Sequence, residues 1–250
     1  MILLGIAFLF VAVLYASVGF GGGSTYTALL IESGLPWELV PPLSLLCNVV
    51  VVTGGVWHYA RAGHLDLGFA GPLLASSVPA AFLGGYLALE EVLFLQILGG
   101  ALLAAGILLV LDRGSAADGP GRRHLRPGGR FALGAVLGAL AGITGIGGGI
   151  YLAPVLHLFR MASARTVAAT ASLFILVNSV AGIAGQLLKL GGATAALLEP
   201  AYLLLPLAVL LGGQLGSRLG ARWLPASPIR RLTGLVIVVV AVRVLWQANA

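Results

Sequence analysis

The stretch Gly145-Ile146-Gly147-Gly148-Gly149 repeats, residue type for residue type, an earlier stretch, Gly19-Phe20-Gly21-Gly22-Gly23, apart from one apolar exchange. Each stands amid long apolar sequence. A glycine triplet there interrupts any surrounding helix, because glycine costs about 1 kcal/mol in a helix interior and readily takes positive φ. The recurrence reads as an internal duplication.

Composition decides the solvent. The chain is 59% hydrophobic and 9% charged, with a mean hydropathy of +1.06. A water-soluble domain of this size could not cover that apolar content with polar surface, which leaves a bilayer. The charged residues punctuate apolar segments at 2–31, 39–60, 67–88, 92–111, 131–157, 167–188, 200–217 and 232–247. Helices of about 20 residues cross some 30 Å of hydrocarbon. The apolar start lacks a basic leader, so the first segment is expected to stay in the mature protein. Cys47 is the one cysteine, which excludes an internal disulfide and a multi-cysteine metal site. It reads as a small buried apolar residue.

Similarity between the halves extends past the glycines. Ser44-Leu45-Leu46 matches Ser172-Leu173-Phe174, Gly54 matches Gly182, Gly84-Gly85 matches Gly212-Gly213, and Leu98 with Gly100 matches Leu232 with Gly234. The expected division is a first transmembrane repeat over 1–111, a basic cytoplasmic linker over 112–130 rich in Gly, Arg and Pro, and a second repeat over 131–250.

Charge chooses between a glycine-broken segment that crosses and one that turns back. With the linker in the cytoplasm, a crossing segment 131–157 would put Arg160, Arg165, Arg218, Arg222, Arg230 and Arg231 outside. A re-entrant hairpin returns all six to the cytoplasm with Arg61 and leaves Glu32, Glu38, Glu90, Glu91 and Glu199 outside. Lys189 and Arg243 are then the outside basic residues. The positive-inside rule prefers this arrangement. Three crossings per half make the halves inverted, and symmetry extends the hairpin to the first half. The expected fold is therefore an all-α polytopic membrane protein of two inverted repeats, each a re-entrant helix hairpin followed by three transmembrane helices. The net charge of +6 then reads as an orientation signal, with no nucleic acid among the partners.

Two glycine breaks from inverted repeats, meeting near the midplane, form the sequence pointer to a secondary transporter's binding site. Free amides at the start of each following half-helix suit an anion. Glycines also serve close helix packing, which is the plainer reading of any isolated one. The candidate substrate contacts are Gly21, Gly22, Gly23, Ser24 and Thr25 at the first break, Ser44 and Asn48 on the next helix, Thr144, Gly147, Gly148, Gly149 and Tyr151 around the second, and Thr170, Ser172 and Asn178 on the helix after it. Their side chains can donate hydrogen bonds without placing a full charge in the membrane. Each polar one can equally bond a helix carbonyl or a neighbouring helix. No Asp or Glu lies inside an apolar segment, so a cation site or carboxylate proton relay has no ligands there, and no metal or cofactor is expected. His58 and Gln186 occupy equivalent repeat positions near segment ends, where an interfacial role suits the histidine.

The doubled Gly-x-Gly-Gly-Gly, the run Gly149-Ile-Tyr-Leu-Ala-Pro154-Val-Leu, the stretch Ala168-Ala-Thr-Ala-Ser172 and the turn Arg61-Ala-Gly-His-Leu-Asp66 resemble the TauE/SafE family of sulfite exporters over nearly the whole chain. The resemblance implies a multi-pass inner-membrane permease for small sulfur-containing anions such as sulfite or organosulfonates. One departure is that Ala28 stands where Pro154 stands in the second half, which predicts a less sharply defined first half-helix. An anion channel using the same site is the alternative reading. An enzyme is not expected: Ser24 with His58 could be imagined as a protease pair, but no Gly-x-Ser-Gly-type elbow accompanies them. The expected partners are a small anionic substrate and the lipid bilayer, with a homodimer as a candidate assembly.

Overall fold

A computed structural model describes residues 2–17, 20–111, 125–159, 161–191, 197, 199–222 and 226–249. Among them it is all-helical: α1 (Ile2–Ser17), α2 (Gly23–Glu32), α3 (Val40–Arg61), α4 (Leu67–Tyr86), α5 (Glu91–Leu111), α6 (Pro127–Thr144), α7 (Gly149–Leu158), α8 (Ala164–Leu190), α9 (Pro200–Arg222) and α10 (Ala226–Gln247). Four of these, α3, α4, α5 and the Arg165–Leu190 stretch of α8, are long and apolar enough to cross a membrane by length and composition. Most of the linker, residues 112–124, lies outside the described residues. Its final residues are helical rather than looped, because Pro127 opens α6 at a position where a missing N–H costs nothing.

Local chemistry sets the ends. Gly22 caps α2 in left-handed conformation, φ 92°, and Gly148 caps α7 at φ 82°. Gly145 ends α6 at φ 75°, the usual role of glycine just past a helix. Asp66 caps α4 by accepting from the Phe69 N–H at 2.9 Å, and Ser163 caps α8 by accepting from Thr166 N–H at 3.2 Å. The expectation of a less defined first half-helix fails: α2 and α7 are each 10 residues long. Glycine at the cap does the work there, and Pro154 sits in the interior of α7, away from its boundary.

Glycines also bring helices from different halves into backbone contact. A β-carbon on Gly134 would strike the Leu73 carbonyl, one on Gly138 the Ser77 carbonyl, and one on Gly142 the Ala81 carbonyl. Equal steps ascend both chains, so α6 lies parallel to α4, and Ser76 Oγ ties them by donating to Phe131 O at 2.6 Å. Gly5 against Leu204, Gly212 against Leu9 and Gly216 against Val13 likewise set α1 parallel to α9. Between α3 and α8 the steps oppose: Gly182 meets Leu45, whereas Gly55 meets Ser172. Those two long helices are antiparallel. Gly99 against Leu245 and Gly106 against Val238 set α5 antiparallel to α10. The pairings map onto one another when α1–α5 are exchanged for α6–α10: α1 with α9 and α6 with α4, α3 with α9 and α8 with α4, α2 with α10 and α7 with α5.

Candidate functional site

Both glycine breaks lie against the middles of the long helices, and they touch each other. Ser44 Oγ of α3 donates to Gly23 O at 3.1 Å and receives a bond from Thr27 Oγ1 at 2.9 Å, which draws the start of α2 onto α3. One turn on, Asn48 Nδ2 donates across to Ile146 O of the second break at 2.9 Å. A β-carbon on Gly23 would lie 2.7 Å from Ile146 O and collide with Asn48 Nδ2. On the far side, a β-carbon on Gly147 would lie 2.9 Å from Ser179 Oγ of α8 and 3.0 Å from Asn48 Nδ2. Glycine is required at these positions because two backbones and one amide share the space. A ligand atom finds no room between Gly23 and Ile146 unless the breaks part.

The start of α2 thereby meets the break that leads into α7. The first backbone bonds at the caps are Thr25 N–H to Gly22 O, 3.0 Å, and Tyr151 N–H to Gly148 O, 3.1 Å. The amides before them, on Gly23, Ser24, Gly149 and Ile150, have no acceptor within their own helices. They carry the positive ends of α2 and α7. No Lys, Arg, Asp or Glu lies among the residues at this crossing.

The candidate residues divide into two sets. Ser24 and Thr25 are held by Tyr15 of α1, whose hydroxyl lies 3.2 Å and 2.7 Å from theirs. Ser44 is spent on Gly23 O, and Thr144 Oγ1 returns a bond to Leu140 O of its own helix at 2.6 Å. These four position backbone. By contrast Asn48 Oδ1, Thr170 Oγ1 and both polar atoms of Asn178 are buried with no protein partner. Gly21, Gly23, Asn48 and Gly147 come together at the crossing. Gly22 instead packs on the Tyr26 ring, Gly148 on Phe174, and Gly149 on Ile175. Tyr151 is buried in the apolar core around α5, α7 and α10, and Ser172 lies by Gly55 at the α3–α8 seam.

Sequence reading missed Tyr15, Thr27 and Ser179. Ser179 is fully buried, has an unpartnered hydroxyl, and is the α8 residue that faces Gly147. Its neighbour Asn178 was the more conspicuous polar residue. Tyr15 offered no signal, since an aromatic in an apolar helix most often just fills space. His58 is exposed near the end of α3 and takes no part, while Gln186 is buried and donates to Gly142 O at 3.0 Å.

The sulfite exporter TauE/SafE family matches residues 4–244. The chain belongs to the TauE/SafE family. A relative from Sinorhizobium fredii (strain NBRC 101917 / NGR234), "Probable membrane transporter protein y4hK", is 31% identical over 245 residues, covering 97% of each chain. No solved structure matches. A TauE/SafE chain is a membrane transporter, which agrees with the apolar spans and with glycine breaks facing one another inside the helix bundle.

Proposed function

We propose that this TauE/SafE chain is a secondary transporter that exports small sulfur-containing oxyanions, such as sulfite or organosulfonates, across the inner membrane. The observation that carries the reading is the crossing itself: the start of α2 and the break that leads into α7 meet at Asn48 in a site of neutral polar groups.

The membrane arrangement that goes with it has α1–α2 and α6–α7 as re-entrant hairpins in two inverted repeats. Helix registers support this. α3 and α4 are joined by a short turn, Ala62 to Asp66, so as spanning neighbours they run oppositely. Because α8 opposes α3 and α6 follows α4, α6 and α8 descend together. The chain between them has to return. Gly142 lies beside Gly182, Gly147 beside Ser179 and Ile175, and Gly149 beside Ala171, which retraces α8 backwards. In the first half Gly23 lies by Asn48 and Thr27 by Ser44, so α2 runs back along α3 in the same way. The two basic residues left outside also sit beside acids that this arrangement puts outside: Arg243 pairs with Glu32, and Lys189 lies within electrostatic reach of Glu38.

A closed crossing favours a carrier over an open pore, since transport then needs the breaks to part on alternate sides. With no carboxylate at depth to carry a coupling proton, membrane potential supplies the drive, about 2.3 kcal/mol per elementary charge per 100 mV. In proteoliposomes loaded with sulfite, efflux should accelerate when a valinomycin-clamped potassium gradient makes the lumen negative. It should ignore a pH gradient at clamped voltage once sulfite protonation is accounted for. Efflux that tracks protons or sodium and not voltage refutes uncoupled export; no movement of sulfite or any organosulfonate refutes the reading.

A further inference from the structure

The unpartnered atoms at the crossing are not all donors. Asn48 Nδ2 lies 2.9 Å from Ile146 O, and only a donor is tolerated that close to a carbonyl oxygen. This bond decides which end of the amide is which, a question that otherwise rests on the surrounding network. Oδ1 is therefore an acceptor, fully buried and without a partner. It points into the first break, where β-carbons on Gly21 and Gly23 would lie 2.5 Å and 3.0 Å from it. Ser179 Oγ, also buried and unpartnered, and Asn48 Nδ2 both lie within 3.0 Å of one point, the β-position of Gly147. They flank a single spot from the two long helices. Buried polar groups nearly always find partners, and those that do not in the protein alone await a ligand, an ion or a water.

A bare dianion such as sulfate at neutral pH offers acceptors alone. It can take the free amides at the start of α2 and the Ser179 hydroxyl, but it leaves Asn48 Oδ1 unpaired or repelled. We propose that the anion bound here carries a hydrogen-bond donor of its own, and that Asn48 Oδ1 reads that donor. Suitable ligands are a protonated oxyacid monoanion or a hydroxy- or amino-sulfonate. The inference rests on the transporter reading above and narrows its substrate class. The donor set selects for negative charge and Asn48 Oδ1 selects for the proton. A site that leaves a buried acceptor unpaired with the wrong ligand discriminates by roughly ten- to a hundredfold.

Ethanesulfonate and 2-hydroxyethanesulfonate have the same charge and differ by one hydroxyl. Their affinities for the detergent-solubilised full chain, measured by calorimetry, and their competition with sulfite efflux from proteoliposomes test the proposal on the unaltered protein. The hydroxylated anion should bind roughly 10–100-fold tighter, and sulfate should compete with neither. Ser179→Ala should weaken both sulfonates by a similar factor and leave their ratio intact, because its hydroxyl serves the shared sulfonate group. Equal affinities in the unaltered protein, with both anions transported, overturn the donor requirement and spare the transporter reading. A ratio that collapses in Ser179→Ala overturns the assignment to Asn48. If no anion in the series binds or moves, both readings fall together.

Discussion

Gly23→Ala isolates the contact between the two breaks. Gly23 has ordinary helical backbone, unlike Gly22 at φ 92°, so alanine is conformationally welcome and by propensity alone would stabilise by up to about 1 kcal/mol. The tertiary structure reverses the sign. The new methyl would lie 2.7 Å from Ile146 O and collide with Asn48 Nδ2, whereas carbon–oxygen contacts settle at about 3.3–3.6 Å. The breaks must part by about 0.6–0.9 Å, which carries the 2.9 Å Asn48–Ile146 bond past hydrogen-bond range. Losing that buried bond costs about 1–3 kcal/mol and the overpacking about 1–3 more. Net of propensity, the loss is about 1–5 kcal/mol, or a fall of roughly 2–20 °C in melting temperature for a chain of this size. Gly100→Ala is the comparison: it is an exposed position inside α5 with open space around it, and it should be neutral or slightly stabilising. Thermal unfolding in detergent, followed by tryptophan fluorescence, reads both. Gly23→Ala melting at or above the unaltered protein would refute the packed crossing.

Three further outcomes follow from the same geometry. Cysteines placed singly at Ile2 and Ser33 in a Cys47→Ala background should both label from outside, and those at Arg126 and Arg165 both from the cytoplasm; labelling of either pair from opposite sides excludes that hairpin. Gly138→Ala, which drives a methyl into the Ser77 carbonyl, should destabilise by about 1–3 kcal/mol in the same melting assay, and an unchanged melt would mean that α4 and α6 are not in backbone contact. Arg243→Gln removes an ion pair whose partners are 61% and 46% exposed, so it should shift stability by no more than about 1 kcal/mol, less in high salt; a larger loss would mean that the pair acts within a wider network.

Much of this protein is determined by its sequence alone. Solvent, helix spans and helix ends are local properties: apolar content over about 20 residues, a proline at 127, an aspartate at 66 and glycines at 22, 145 and 148 act on the backbone within a turn of themselves. The doubled glycine phrase also announced where helices break, and the breaks occur there, each followed by a half-helix of equal length. What the polar residues do was decided only by tertiary structure. Ser24 and Thr25 looked like ligand donors until the Tyr15 hydroxyl of another helix took them up, and Thr144 until it turned to Leu140 O. Asn178 and Ser179 are adjacent in sequence but point about 100° apart on a helix, so one residue's rotation chose the serine to face Gly147. Asn48 became the hinge of the site because a carbonyl nearly a hundred residues away, on Ile146, arrived within 2.9 Å of it. A side chain's hydrogen-bonding capacity is written in its own atoms, but which capacity is left unspent depends on every helix that packs around it.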